Sequence, residues 1–523
     1  MKKKLLSLMP AAALFIYFIW NLITLMKFPA VHSDELWLKG ITDEMIRQKS
    51  FAVTEPFFDL YPRVVHPFRL LFHSIQALFF LVFGSSVWTA RLLSLVFSTA
   101  GLVVFFHVLK KSTGHRLMAL AGTGALALNL QFLYGARFAR QDTLILLLLL
   151  IAYELAVHSG LSQKRLPQAL ALVTFLGMLV HPNSFLIGLL CFLLLLWRAA
   201  QKDGTWKTPL SYALFTAGGF VLTYLLGTLL NPGFLDGYLK FGESLGIEAT
   251  PMGRLEGFYW FWVKLYRQIG GTYELLNIRM ELLLFFFLML LLPLLTIKSR
   301  KSPQHFQLLA PWTGLFGISL GLLLIGRYNQ TSVVFLLPFI LLGLMAALSK
   351  IFEICRWKGL TAVTVLFLLF FPSVKLQKDL QVYRSTKPYV LSYEAMIREI
   401  DAAVPENASV LSNLNTLEAF QDQHFYDIRN LAFLKDRNLS LQEYLQERGI
   451  TYILLHEEMS YILQTQPTWD FLYGTGSYLE ELFQYLETST ELVYEFENPL
   501  YAMRIARYSG TYPWKTKIYR VKP

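Results

Sequence analysis

LMALAGTGALALNLQFLYGARFARQDTLILLLLLIAYELAVHS, residues 117–159, sets two apolar runs on either side of a charged knot made of Arg137, Arg140 and Asp142. A helix needs ~20 apolar residues to cross the hydrocarbon core of a bilayer, and each run approaches that length. The stretch therefore reads as two antiparallel membrane helices, Leu117–Gly135 and Thr143–Ser159, whose connecting turn carries the charge. Working outward, further apolar runs are Leu5–Met26, Trp88–Leu109, Leu166–Val180, Ser184–Trp197, Pro209–Leu230, Glu281–Ile297, Phe306–Ile325, Thr331–Ser349 and Leu360–Pro372, eleven spans in all. Of these, Leu166–Val180 and Ser184–Trp197, about 15 residues each, fall short of the core and form a hairpin with a recessed tip. No such run follows Phe371. The expected fold is an α-helical polytopic membrane protein over residues 1–373, followed by a small mixed α/β soluble C-terminal domain over 374–523. A composition of 54% hydrophobic residues agrees with this class.

Charge orients the spans. Residues 1–373 carry 32 Lys/Arg against 16 acids, and residues 374–523 carry 15 against 20. With the N-terminus inside, the inner loops hold 17 Lys/Arg and only Asp203 and Glu353 as acids, the bias expected of cytoplasmic loops. Eleven spans then put the C-terminal domain outside the cytoplasm. The basic charge is spent on topology, so no nucleic-acid partner is expected.

The run Phe68–Phe83 is nearly long enough to cross, but crossing would move Lys110 and Lys111 outside. It reads instead as an interfacial helix within an outer loop, residues 28–87, with His66, Arg69, His73 and Gln76 on its polar side. The first apolar run follows Lys2–Lys4, is too long for a signal peptide and lacks a cleavage pattern, so it is read as an uncleaved span. Cys191 and Cys355 have neither disulfide nor metal spacing. In the C-terminal part, Ser392–Ala403 has helical spacing, and Ser409–Ser412, Tyr452–Leu455, Leu492–Phe496 and Thr516–Val521 have strand character.

Ionisable groups near membrane spans are costly and mark function. Here they gather at one level: Asp34 and Glu35 after the first span, Arg137, Arg140 and Asp142 after the third, His181 at the tip of a short hairpin, and Arg327 after the ninth. Arg137 and Arg140 stand at i and i+3, which would share a helix face and form a fork suited to phosphate. Asp142 would orient them or bind a metal. Asp34 and Glu35 are paired carboxylates placed to take a proton from an acceptor hydroxyl. His66, Arg327 and Tyr328 are candidates for a lipid phosphate, and the His181-Pro182-Asn183 tip is a further pocket candidate. Each also has a plain reading, as solvated loop, helix-start turn or interfacial anchor.

In the order of these parts the chain resembles the glycosyltransferase C superfamily, in the branch of bacterial family 39-like protein O-mannosyltransferases and lipid A aminoarabinose transferases. The resemblance spans residues 1–373 and rests on Asp34-Glu35 after the first span, surface helices in the first outer loop, and the Ala-Arg-x-Ala-Arg-x-Asp stretch ending at Asp142. It implies a catalytic base at Asp34 and the family's Arg-x-x-Arg-x-Asp element at Arg137, Arg140 and Asp142. It also implies inverting transfer of a monosaccharide from a polyprenyl-phosphate sugar to an acceptor lipid, glycan or protein at the outer face. Relatives carry an acid followed by Lys-Pro-Pro where this chain reads Val65-His66-Pro67-Phe68. Without that acid a divalent metal, if held by Asp142 or Asp34, would be short of a ligand, so metal dependence is left open. A transporter or lipid flippase is the rival class, but it would carry polar groups near the midplane and repeated halves. Neither is seen in the sequence. A non-catalytic scaffold is the other rival.

Overall fold

The computed structural model describes the chain except residues 1, 202, 245–249, 299–304, 327, 356–357, 421–423, 466–476 and 502–504. Backbone polar groups in lipid must find partners within their own segment, so the apolar runs become helices. Seven described helices are long and apolar enough to cross a membrane. The pair α5 (Arg116–Ala127) and α6 (Leu130–Arg137), bent by 69°, makes an eighth when counted as one broken span. The break has a local cause: the Asn129 side chain accepts the Phe132 N–H at 3.0 Å and starts α6 afresh. Shorter apolar helices are the Leu8–Ile23 part of α1 (Lys2–Ile23), Leu70–Phe83 and α8 (Arg165–Met178), and α7 (Asp142–His158) runs between the bent pair and α8.

Between α1 and α4 (Val87–Thr113) lie α2 (Ser33–Gln48) and α3 (Leu70–Phe83). The polar side expected for α3 does not face water. His73 and Gln76 are fully buried, and both bond to Thr42 of α2, at 2.7 and 2.5 Å. Leu78, Leu81, Val82 and Phe83 are the exposed side. The polar groups face inward because the helix shares its buried face with α2, and the exposed apolar ridge suits lipid.

After α8 come α9 (Phe185–Ala200), α10 (Lys207–Leu230), α11 (Phe234–Ser244) and α12 (Pro251–Arg267), then the long apolar helices α13 (Arg279–Lys298), α14 (His305–Ile325), α15 (Leu337–Cys355) and α16 (Lys358–Thr386). The expected boundary at 373/374 falls inside α16. The helix continues because Lys375 and Asp379 pair at i, i+4 and the segment stays helix-compatible past the apolar run.

The C-terminal domain has a five-stranded mixed sheet, order β2-β1-β3-β5-β4, from β1 (Val410–Ser412), β2 (Phe425–Asp427), β3 (Tyr452–His456), β4 (Thr490–Glu497) and β5 (Lys515–Val521). Four of these strands are the expected ones; β2 is the addition. The domain is tied to the first loop: Asn430 donates to Phe57 O at 2.9 Å and accepts from Leu60 and Tyr61 N–H groups, and Arg448 pairs with Asp59 at 2.6 Å. Val31, Leu36 and Phe57 share one core with Met396, Ile400 and Val410. The helix carrying Asp34 is thus held between the membrane helices and this domain.

Candidate active site

His32 caps α2. Its Nδ1 accepts the Asp34 N–H at 3.1 Å, while its own N–H donates to Glu35 Oε1 at 2.9 Å. Both carboxylates therefore sit in the first turn of α2. They then diverge. Glu35 accepts from Arg91 Nε at 2.8 Å and Nη2 at 2.7 Å, and from Ala139 N at 3.0 Å. Glu35 and Arg91 side chains are both 0% exposed. Glu35 is a strut and not the accessible neighbour of the base that the sequence suggested, because its oxygens are taken up by four N–H groups.

Asp34 keeps an opening: its side chain is 12% exposed, with Arg140 at 13% and Asp142 at 11%. Arg140 stands between the two carboxylates, 3.1 Å from Asp34 Oδ2 and 3.3 Å from Asp142 Oδ2. The Tyr273 hydroxyl donates to the same Asp34 oxygen, and the Arg140 guanidinium lies 4.8 Å from the Tyr273 ring centre. Tyr273 arrives on the loop before α13, which His32 pins by donating from Nε2 to Thr272 O at 2.8 Å. Sequence reading missed Arg91 and Tyr273. Arg91 had a faint signal, a lone Arg inside an apolar run.

Arg137 is not in this cluster. α6 ends at Arg137 and Phe138 is extended, so Arg137 and Arg140 do not share a helix face, and the expected fork does not form. Arg137 instead grips the end of the first span, donating to Asn21 Oδ1 at 2.7 Å and to Thr24 O and Phe28 O.

A second cluster follows one turn along α2. Trp37, three residues after Asp34, donates to Glu55, which is fully buried and held by Arg63 (Nε to Oε2, 2.8 Å) and Arg69 (3.5 Å). Burial alone would raise the Glu55 pKa, but the two arginines outweigh it and hold the group well below the usual carboxylate range. Beside it, burial and then Arg69 and Arg63 push His66 well below the ordinary imidazole value, so it is neutral. His66 Nδ1 is buried with no partner among the described residues. Its ring packs on Phe68 and Tyr238, which line an apolar cavity of about 520 Å³ together with Pro182, Phe185 and Tyr212. His181 caps the turn at this tip by accepting the Asn183 N–H at 3.0 Å. The hairpin tip lies beside the start of α3, where Leu71 N–H bonds to Leu179 O at 2.8 Å.

Tyr328 lies elsewhere. Its hydroxyl donates to Arg254 O at 2.6 Å and its ring packs on Phe258 and Phe261 of α12. Arg327 falls outside the described residues. Among the described residues no three His, Cys, Asp or Glu side chains are grouped to hold a metal ion. Asp34 and Asp142 are bridged by a cation already, Arg140, which does not fit a resident metal between them.

Comparison with known proteins bears on this arrangement. The family model of dolichyl-phosphate-mannose-protein mannosyltransferases matches residues 65–224. No curated protein sequence matches the chain. Among solved structures, ArnT from Cupriavidus metallidurans is similar in its apo state (TM-score 0.58, 12% identity, 99% of this chain and 98% of that one). The same protein bound to undecaprenyl phosphate is similar too (0.57, 11%, 98% and 97%). The archaeal oligosaccharyltransferase AglB from Archaeoglobus fulgidus, in complex with an inhibitory peptide and a dolichol-phosphate, follows at 0.54 and 12% identity, over 93% of this chain and 73% of that one.

Proposed function

Starting from a polytopic membrane protein with the glycosyltransferase C fold, we propose that this chain transfers a monosaccharide from a polyprenyl-phosphate sugar to an acceptor at the outer face of the membrane, with inversion. The observation that carries this is the position of Asp34. It is a carboxylate at a helix start, partly open, and oriented by Arg140 and Tyr273, one turn from a cationic cluster.

In this reading Asp34 takes the acceptor proton as the acceptor oxygen attacks the anomeric carbon. Asp142 holds Arg140, and Arg140 fixes Asp34. The leaving phosphate meets Arg63, Arg69 and the neutral His66, whose N–H donates without adding charge. The lipid tail lies in the cavity lined by Phe68, Phe185 and Tyr238. Preorganised charge acts strongly in a site shielded from water. The lipid phosphates bound in the ArnT and AglB structures, undecaprenyl phosphate and a dolichol-phosphate, support a lipid-phosphate donor here.

The test is mass spectrometry of outer-surface glycoconjugates from cells with and without the gene, followed by transfer with purified protein and a panel of polyprenyl-phosphate sugars. A sugar lost from the cells and transferred in the purified system is expected. Unchanged glycoconjugates, with no turnover of any donor in the panel, would sink the proposal.

A further inference from the structure

A cavity of about 740 Å³ opens on the other side of the loop that leads from the first span to α2. Its walls are apolar, from Trp20, Ile23, Leu25 and Leu133 on the membrane helices and Leu391 and Leu500 at the C-terminal domain. Its charged lining is one-sided: Lys27, Arg137, Arg384 and Lys387 against Glu394 alone. Lys387 is already paired with Glu274 at 3.0 Å. Lys27 and Arg384 are exposed at the rim.

Arg137 is the built element. It is 3% exposed, its Nε and Nη1 are occupied, and its Nη2 is buried with no hydrogen-bond partner among the described residues. The guanidinium also lies 5.0 Å from the Trp20 ring centre, and an anion at its unfilled N–H edge would complete its partners. Phosphate oxygens suit that edge, and two exposed cations at the mouth suit a phosphate held at the membrane surface. The apolar walls suit hydrocarbon and not a free anion.

We infer that this cavity is a second lipid-phosphate site, separate from the donor cavity, in which Arg137 meets a phosphate oxygen while Lys27 and Arg384 attract the headgroup. The bound lipid bridges the first span and the C-terminal domain, because both line the cavity. The inference does not rest on the proposed reaction.

The full chain in detergent is titrated with phosphatidylglycerol, with phosphatidylcholine and with undecaprenyl phosphate, and bound lipids are counted by native mass spectrometry. One anionic lipid is expected to bind at least about tenfold more tightly than phosphatidylcholine. Lys27→Gln with Arg384→Gln should weaken it severalfold, and Arg137→Gln more. The rim pair lies on the surface, so it keeps the test alive if Arg137→Gln fails to fold. Rim-dependent binding of phosphatidylglycerol assigns the site to bilayer lipid, and rim-dependent binding of undecaprenyl phosphate alone assigns it to the carrier. Equal binding of phosphatidylcholine, or anionic binding untouched by the rim pair, overturns the inference.

Discussion

Arg91→Met is the perturbation that separates holding the site together from reacting in it. Arg91 and Glu35 are both fully buried and joined by two N–H···O bonds of 2.8 and 2.7 Å. Removing one member of such a pair leaves an uncompensated buried charge and costs ~3–5 kcal/mol. Two further acceptors, Leu25 O and Pro29 O, lose Arg91 Nη1 as well. Adding Glu35→Leu removes the stranded carboxylate, so the double variant regains much of the ion-pair loss. It does not regain the bonds from the N–H groups of His32 and Ala139, which the Glu35 carboxylate accepts at 2.9 and 3.0 Å. Those two anchors fix the start of α2 against the turn carrying Arg140, and hence Asp34 against Arg140. A misplacement of about 1 Å costs roughly 10²-fold in rate. Thermal unfolding and transfer rate should therefore part company: the single variant loses both, and the double recovers stability without transfer. A double variant with near-normal transfer would refute the positioning role of Glu35.

Asp34→Asn should abolish turnover by ~10²–10⁴-fold while leaving donor binding intact, since Asn keeps the shape and loses the base; normal turnover in purified protein would remove Asp34 from that role. Arg140→Ala strips the shared counter-ion from Asp34 and Asp142, so the acid limb of the kcat/KM profile should move to higher pH. An arginine that only bound donor phosphate would raise KM and leave that limb in place. His456 donates from Nε2 to Asn498 O at 2.7 Å and accepts the Glu458 N–H at Nδ1, and burial holds its pKa at about 4. The unfolded chain takes the proton first, at ~6.5. Stability of the C-terminal domain is therefore full above pH ~6.5 and falls by about 3 kcal/mol on the way to pH 4. Hydrogen exchange across that window should show the loss, and His456→Gln should flatten it. Reporters fused after residues 113 and 203 should report the cytoplasmic side, and those after 60 and 380 the outer side. An outer report at 113 would mean that Phe68–Phe83 crosses.

What the sequence made legible was set by short-range physics. Apolar length located most of the spans, and helical spacing and β-branched runs located the helix at Tyr393–Ala403 and four of the C-terminal strands. The grouping of Asp34, Arg140 and Asp142 was legible because all three sit at span ends, which topology forces to one level. Arg137 misled for a local reason: i, i+3 spacing implies a shared face only while the helix continues, and α6 stops at Arg137. Glu35 and Asp34 are neighbours of the same chemistry, and only distant partners tell them apart. Arg91 lies 56 residues from Glu35 and Tyr273 lies 239 from Asp34. No window on the chain brings such pairs together. The Glu55–Arg63–Arg69 cluster was hidden in the same way, in a loop whose buried side is decided by α2 and the C-terminal domain.

Charge balance then gives the proposed reaction its direction. Arg140 is shared by two carboxylates, Asp34 and Asp142, whereas the single carboxylate of Glu55 is met by two guanidinium groups, Arg63 and Arg69, with His66 beside them. Trp37 joins the two groups: it follows Asp34 by three residues on α2 and bonds to Glu55. Three residues of helix rise about 4.5 Å. A phosphodiester donor is repelled by the first group and attracted by the second, so its phosphate would settle toward Arg63, Arg69 and His66 with the sugar turned toward Asp34. An acceptor hydroxyl deprotonated at Asp34 then attacks the anomeric carbon from the side away from the phosphate. In the proposed reading, attack from that side would invert the anomeric carbon, and leaving-group stabilisation falls to the second cluster instead of to the Arg137–Arg140 pair.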